Sequence, residues 1–278
     1  MTENMIRTVK INRIIRNCTG VKTISFKLED NIIPKPGQFV MVWVPGVDEI
    51  PMSISDFDEN GYWSFTAKNV GECTNALQNL NIGDFIGIRG PLGTHFKIPP
   101  KSTKHIFLIG GGFGMAPLKF LANQLIKSGF KFKIIEGAKS RNELLFLDEL
   151  SNIKDKNCEF FCCTDDGSYG QKGFPTTLFE EKISEIEPID LKNTIIYTCG
   201  PEIMMYHLFN MCKMYGIELF ASLERIMRCG CGLCGLCVID PIGNLVCKDG
   251  PIFNLAELNK MDDFGKYKRD FTGKKIEI

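Results

Sequence analysis

The chain has 278 residues, 44% hydrophobic and 24% charged, which is enough for a folded core and about two domains. Lysine plus arginine and aspartate plus glutamate each number 33, and this zero net charge argues against a nucleic-acid-binding protein. The sequence shows neither a secretory leader nor a run of 18 apolar residues, so we expect a cytoplasmic protein that does not contact a membrane.

Residues 1–97 read as an all-β domain. Six short β-rich runs are separated by turn residues such as Pro34-Lys-Pro-Gly37, and this pattern predicts a small antiparallel barrel. One helical stretch, Thr74–Leu80, interrupts the strands. The polar segment Lys97–Lys104 contains two prolines and marks a domain boundary.

Strands and helices alternate over residues 98–222. A buried-type strand at His105–Ile109 precedes a helix at Pro117–Lys127, and further pairs follow, including a helix over Glu143–Leu150. This order predicts an α/β domain with a parallel sheet covered on both faces. Residues 223–278 form a third, cysteine-rich segment. The predicted fold is therefore multi-domain, a β-barrel followed by an α/β domain and a small cysteine loop.

Five of the 12 cysteines lie between residues 229 and 247, which in a chain without an export signal indicates a metal or redox site. Cys229, Cys234 and Cys237 have the C-x4-C-x2-C spacing of plant-type two-iron ferredoxins, and Cys247 supplies a fourth thiolate. Cys231, Cys234 and Cys237 also match the opening of a four-iron motif, and four thiolates suit a structural zinc. Spacing alone leaves these three centres open.

Glycine-rich loops follow two strands of the predicted parallel sheet. A diphosphate can approach the backbone of such a loop at a helix N-terminus, although Met115 breaks the strict G-x-G-x-x-G pattern. Because the carboxyl ends of parallel strands share one edge, the two loops together predict a dinucleotide site, with Cys199 near the nicotinamide. Its residues are Gly110, Gly111, Gly112, Gly114, Cys199, Gly200 and Pro201.

The whole arrangement resembles the ferredoxin–NADP reductase superfamily over nearly the full chain. Within it, Ser222–Cys237 and Cys247–Phe253 resemble the electron-transfer subunits of NAD-linked dihydroorotate dehydrogenases. The resemblance implies FAD on the barrel, NAD on the second domain and a [2Fe-2S] cluster on Cys229, Cys234, Cys237 and Cys247. Cys231 is then not a ligand.

The resemblance also implies the flavin contacts. They are Pro51, Met52, Ser53, Ile54, Thr66, Ala67, Lys68, Gly71, Cys73 and Thr74. The family often has arginine where this chain has Ile50, so a charged contact to the diphosphate is absent there and Lys68 is the candidate substitute. Glu136 suits a ribose hydroxyl, whereas Lys139 and Arg141 suit a 2′-phosphate; the family favours NAD.

No acid–base constellation for dihydroorotate oxidation is apparent, so we expect no catalytic residue of that kind in this chain. The resemblance implies a catalytic, FMN-containing partner subunit, with two copies of each chain in the complex. Two other functions are compatible with the sequence. One is the flavoprotein subunit of a hydrogenase or another NAD(P)H:ferredoxin-type complex. The other is a zinc-stabilised interaction module.

Overall fold

The computed structural model describes residues 4–30 and 32–278, and the first of its domains is a closed antiparallel barrel. Its elements are β1 (Arg7–Cys18), β2 (Val21–Lys27), β3 (Phe39–Val44), β4 (Asp48–Phe57), β5 (Tyr62–Lys68), α1 (Glu72–Asn79) and β6 (Phe85–Leu92). The strand order around the barrel is β1-β2-β5-β4-β3-β6. Alternate side chains point inward, and the fully buried rings of Phe26, Trp63 and Phe65 fill the centre. The predicted barrel is confirmed.

The second domain is built on a parallel sheet with helices on both faces. Its elements are β7 (His105–Gly111), α2 (Met115–Lys127), β8 (Phe132–Ala138), α3 (Leu147–Ser151), β9 (Cys158–Thr164), β10 (Gln171–Lys172), α4 (Pro175–Ser184), β11 (Thr194–Cys199), α5 (Glu202–Tyr215) and β12 (Glu218–Ser222). The predicted α/β domain is confirmed. The helix expected over Glu143–Leu150 is wrong in extent, because the left-handed backbone of Phe146 (φ 62°) delays α3 to Leu147.

The cysteine-rich segment folds against both domains. Its elements are β13 (Val238–Ile239), β14 (Asn244–Leu245), β15 (Ile252–Asn254), α6 (Leu255–Leu258), β16 (Tyr267–Arg269) and β17 (Lys275–Glu277). Strand β15 pairs antiparallel with β12 and completes a seven-stranded sheet, in the order β10-β9-β8-β7-β11-β12-β15. Thr94 at the end of the barrel donates its N–H to the Gly250 carbonyl at 2.6 Å. This segment therefore ties the barrel to the sheet edge.

Helix α2 holds the barrel against the second domain. Lys119 is buried and its Nζ lies 3.5 Å from an Asp56 carboxylate oxygen on β4 and 2.9 Å from Glu149. Asn123 donates a second hydrogen bond to Asp56 at 3.1 Å. The described helices include none that is long and apolar enough to cross a bilayer.

Glu136 on β8 does not reach the nucleotide site, so its assignment to a ribose hydroxyl is wrong. Its side chain is 0% exposed and accepts a hydrogen bond from the Leu145 N–H, while its Oε2 has no hydrogen-bond partner. Burial raises the pKa of this carboxyl to about 8, against 4.5 ordinarily, because the charged form is poorly solvated there. The group is therefore neutral in the folded core near neutral pH.

This pKa predicts how stability depends on pH. The folded state holds the Glu136 proton more tightly than the unfolded state, so the stabilisation is complete below the ordinary pKa and is lost as pH rises through about 8. In Glu136→Gln the free energy of unfolding should fall less between low and high pH, by up to roughly 4 kcal/mol, since each pKa unit corresponds to about 1.4 kcal/mol. Urea unfolding at pH 5 and pH 8 measures it. Glu159→Gln, at an exposed site, should leave the pH dependence unchanged.

Candidate functional site

A cleft of about 890 Å³ opens at the carboxyl edge of the parallel sheet. Its walls come from the ends of four strands: Gly111 ends β7, Gly137 lies in β8, Asp165 follows β9 and Gly200 follows β11. Ligands of open parallel sheets bind at this edge. The two glycine-rich loops predicted from the sequence thus meet in one cleft, which is large enough for a dinucleotide.

The two glycine loops touch each other directly. A Cβ added to Gly114 would lie 2.0 Å from the Cys199 carbonyl oxygen, and one added to Gly200 would lie 2.8 Å from the Gly111 nitrogen. Real Cβ atoms do not approach this closely, so only glycine allows the contact. Gly112, by contrast, has open space around it on the cleft side. The loops form one continuous backbone surface.

Cys199 takes a different position from the one predicted. Its side chain is 3% exposed, and the cleft lining includes Gly200 and Pro201 but not Cys199. Burial raises the pKa of the thiol far above its usual range. Cys199 therefore shapes the cleft through its carbonyl contact with Gly114, and its neutral thiol belongs to the core.

Glu224 lines the same cleft and was missed by the sequence analysis. Its side chain is exposed to the cleft, but the surrounding protein weakens the solvation of the charged carboxyl and raises its pKa, with a further contribution from the Glu202 charge. Arg225, the next residue, forms a buried ion pair with Glu202, and this pair holds the start of the cysteine-rich segment in place. The sequence did contain a signal for it: Glu224 is an acidic residue two positions after β12, and ligands bind at the carboxyl ends of parallel strands.

The predicted flavin segment lies on β4 and is only partly accessible. Pro51, Met52 and Ser53 are half-buried, whereas Ile54 is buried in the barrel core. Lys68 at the end of β5 reaches the nucleotide cleft, where its Nζ lies 4.9 Å from the Phe113 ring centroid. Lys68 is therefore placed between the two predicted cofactor sites.

The other predicted flavin contacts are buried side chains. Thr66 bonds to Thr23 at 2.8 Å, Ala67 lies in the barrel core, and the Cys73 thiol donates to the Asp48 carbonyl at 3.6 Å. The Thr74 hydroxyl accepts the N–H of Gly71 at 2.9 Å and closes the turn before α1. These residues can offer main-chain groups to a ligand, but their side chains are already used by the fold.

Gly71 marks an open place at the N-terminus of α1. Its backbone is extended (φ −170°), and a Cβ added there would meet no atom within 4 Å. A helix N-terminus favours an anion, so this space fits a flavin diphosphate. Gly71→Ala should leave the stability of the flavin-free chain unchanged but weaken FAD binding roughly tenfold, or about 1.4 kcal/mol. Fluorescence titration with FAD measures this, and unchanged affinity would place the diphosphate elsewhere.

The cysteine loop brings its thiols together in two pairs. Cys234 lies beside Cys229, because its N–H donates to Cys229 Sγ at 3.4 Å, and Cys247 lies beside Cys237, because its N–H donates to Cys237 Sγ at 3.5 Å. Within residues 4–30 and 32–278 no three metal-binding side chains surround a single point. Two pairs of thiolates suit two irons with two ligands each. Cys231 also contacts the Cys229 sulfur, and no disulfide joins any described cysteine.

Main-chain N–H groups point at the sulfurs. Leu233 and Cys234 donate to Cys229 Sγ at 3.2 and 3.4 Å, and Cys247 donates to Cys237 Sγ at 3.5 Å. Burial raises the pKa of Cys229, but these N–H groups outweigh it and the net pKa falls to about 6. The hydrogen bond from the Cys247 thiol lowers the pKa of Cys237 to about 7. Thiolate is the form that binds metals, so Cys229 and Cys237 are the thiols of the loop that most readily take that form, whereas the hydrogen bond to Cys237 raises the pKa of Cys247.

The two thiol pairs differ in depth. Cys237 and Cys247 are buried, while Cys234 is exposed and the neighbouring Leu233 is 85% exposed. Positive φ values at the glycines allow the loop to turn around the thiols; they are Gly230, Gly232 and Gly235. One side of the loop therefore faces the core and the other faces solvent.

The barrel strands connect the flavin segment to this loop. Pro51 on β4 pairs with Met41 on β3, which pairs with Arg89 on β6. A Cβ added to Gly230 would lie 2.8 Å from Met41 Cγ, so the cysteine loop rests on this row. One residue of β3 thus separates the predicted flavin segment from the predicted cluster.

Family models match the three parts of the chain. An oxidoreductase FAD-binding domain matches residues 8–97, an oxidoreductase NAD-binding domain matches residues 108–208, and the iron–sulfur cluster binding domain of dihydroorotate dehydrogenase B matches residues 224–259. Fold and site therefore define an oxidoreductase subunit of the ferredoxin reductase type, with domains for FAD, NAD and an iron–sulfur cluster.

Full-length relatives narrow this class. A Methanocaldococcus jannaschii protein is 43% identical over 96% of both chains, and one from Pyrococcus furiosus is 38% identical over 97% of this chain and 98% of its own. Each is named "Probable dihydroorotate dehydrogenase B (NAD(+)), electron transfer subunit". The chain belongs to the family of dihydroorotate dehydrogenase B electron transfer subunits.

Solved structures support the fold. A chain from the NADH-dependent reduced ferredoxin–NADP oxidoreductase aligns with a TM-score of 0.77 at 28% identity, covering 91% of this chain and 89% of its own. A ferredoxin–NADP+ reductase from Neisseria gonorrhoeae aligns with a TM-score of 0.65 at 19% identity, covering 76% of this chain and 92% of its own. The second likeness concerns the fold alone.

Proposed function

We propose that this chain carries electrons from a dihydroorotate-oxidising partner subunit, through a two-iron cluster and FAD, to NAD+. The observation that carries the proposal is the position of Cys229 beside Cys234 and of Cys237 beside Cys247, one barrel strand away from the predicted flavin segment. The proposed cluster ligands are these four cysteines, and Cys231 is not one of them. Membership of the dihydroorotate dehydrogenase B family supports the direction of flow.

The electron count explains why three groups are needed. Oxidation of dihydroorotate to orotate releases two electrons and two protons, and NAD+ accepts both electrons with one proton as hydride. Flavin, when bound, exchanges both single electrons and hydride, whereas an iron–sulfur cluster exchanges electrons singly. The chain's own task is positioning: the cysteine loop and β4 hold the two sites close, and the cleft presents nicotinamide to the flavin.

The nucleotide is proposed to be NAD rather than NADP. Lys68 and Lys139 are the lysines of the cleft, whose lining also includes His207, and the acidic side chains there are Glu143, Asp165, Glu180 and Glu224. Arg141 does not line the cleft, and its guanidinium lies 5.2 Å from the Tyr169 ring centroid. A 2′-phosphate would meet an excess of negative charge there. Comparison of kcat/KM for NADH and NADPH tests this, and a preference for NADPH would refute it.

The partner is proposed to dock on the exposed side of the cysteine loop. Leu233 is 85% exposed beside the exposed Cys234, so an apolar side chain and a proposed ligand share one surface. Electron transfer requires the donor to approach closely, and this is where the cluster would be nearest to solvent. We propose that the partner carries FMN and that the complex contains two copies of each chain in the cytoplasm.

Co-expression with the catalytic subunit tests the function. The purified chain should contain FAD, iron and sulfide and should reduce ferricyanide with NADH, but should not oxidise dihydroorotate alone. The pair should reduce NAD+ with dihydroorotate. A complex that reduces ferredoxin but does not oxidise dihydroorotate would favour the second candidate, which the likeness to the ferredoxin–NADP oxidoreductase chain supports. A colourless chain containing zinc would refute both.

A further inference from the structure

An ion pair between the buried Arg89 and the half-buried Glu49 lies in the barrel wall. Nε and Nη2 of Arg89 donate to the two carboxylate oxygens of Glu49 at 3.0 and 2.8 Å. Arg89 is 8% exposed, and two parallel hydrogen bonds hold its guanidinium in one orientation. The nucleotide cleft includes neither residue. Removing the Arg89 charge from water costs free energy, so its place in the barrel wall suggests a role other than keeping the surface soluble.

The cysteine loop covers the face of the barrel that carries this pair. Gly230 leaves room for Met41, whose Cγ would lie 2.8 Å from a Cβ at that position. Met41 is the cross-strand partner of Arg89, and directly paired residues project to the same face of a sheet. The guanidinium therefore lies on the barrel face beneath the loop.

The electrostatics agree with this placement. The hydrogen bond to Glu49 has the largest effect in raising the pKa of Arg89, against the opposing effect of burial, and the nearby Cys231 and Cys229 act in the same direction as Glu49. A thiolate acts on a guanidinium in this way only when the two are close. Arg89 therefore bonds to Glu49 and lies close enough to the cysteine loop for the charges to interact.

We infer that Arg89, held by Glu49, is a positioned positive charge that raises the reduction potential of the iron–sulfur cluster. The inference rests on the proposed function, because it assumes a cluster on Cys229, Cys234, Cys237 and Cys247. Gain of one electron from the partner makes that site one charge unit more negative, and loss of the electron to the flavin reverses the change. A nearby cation favours the reduced state, and the Glu49 carboxylate opposes it.

The burial of Arg89 decides how strongly its charge changes the reduction potential of the cluster. Charges buried in protein interact more strongly than charges separated by water, and mobile ions screen them less. Lys248 provides the comparison within the same loop: its Cδ would lie 2.9 Å from a Cβ at Gly232, but the residue is exposed. Removing its charge should therefore change the cluster potential less than removing the charge of Arg89.

Redox titration of the purified chain, followed by EPR of the reduced cluster, tests the inference. Arg89→Gln should lower the midpoint potential, so that the ratio of reduced to oxidised cluster at a fixed applied potential falls roughly three- to tenfold. Glu49→Gln should raise it, and it keeps an oxygen that accepts from Arg89, so it tests the pair even if Arg89→Gln fails to fold. Arg89→Lys should stay close to wild type, and Lys248→Gln should shift least.

Opposite shifts in Arg89→Gln and Glu49→Gln support the inference. Shifts of the same sign, no shift, or a Lys248→Gln shift as large as that of Arg89→Gln would overturn it. Loss of FAD from Arg89→Gln with an unchanged cluster potential would instead assign the guanidinium to the flavin diphosphate. A wild-type chain without iron and sulfide would refute the proposed function itself, which is a separate result from an iron-loaded chain with unresponsive potentials.

Discussion

Replacing Cys234 by serine is expected to remove most of the iron from the chain while leaving FAD in place. Cys234 is exposed, so the substitution disturbs little packing, but it removes a thiolate from the outer pair. Changes to groups that only orient metal ligands commonly cost about 10–100-fold in affinity, and loss of a ligand should cost at least as much. Iron and sulfide assays, with EPR after dithionite reduction, measure the loss.

The matched control is Cys231→Ser, three residues earlier in the same loop. Cys231 lies near Cys229 but is not one of the four proposed ligands, so this variant should keep its iron and its EPR signal. Iron loss from Cys231→Ser with retention in Cys234→Ser would exchange their roles and overturn the assignment. Iron loss from both variants would instead favour the four-iron spacing, in which Cys231 and Cys234 are both ligands.

Local sequence patterns predicted the parts of the site that are local in the chain. The cysteine spacing placed four thiols in one loop, because eighteen or so residues with several glycines leave few ways to arrange them. The glycine-rich loops were found because strand–loop–helix order fixes which edge of a parallel sheet they occupy. Both signals depend on neighbours within about twenty residues, so they can be read from the sequence without knowledge of the fold.

Contacts between segments that are far apart in the chain could not be predicted from local sequence patterns. The row from Pro51 through Met41 to Arg89 depends on the register of three barrel strands, and β15 joins the sheet from the far side of the cysteine loop. Register follows from the packing of whole strands rather than from any motif. The same reason explains Glu136, whose side chain is covered by the Leu145 segment, about ten residues further along the chain.

Gly114→Ala is expected to lower kcat/KM for NADH about 100-fold and to destabilise the chain by about 3 kcal/mol. Its Cβ would lie 2.0 Å from the Cys199 carbonyl oxygen, which is main chain and cannot rotate away, so one glycine loop must move from the other. Displacement of about 1 Å at a positioning element can cost 100-fold in rate. NADH:ferricyanide kinetics and urea unfolding measure both effects, while FAD and iron contents should stay at wild-type levels.

Gly129→Ala separates this collision from general strain in the same domain. Gly129 has φ +69°, which costs a non-glycine residue about 1–2 kcal/mol, but a Cβ there meets no atom within 4 Å and the residue does not line the cleft. This variant should lose stability without a change in NADH kinetics. If Gly114→Ala also kept wild-type NADH kinetics, contact between the two loops would not be required for binding, and the cleft would not be the nicotinamide site.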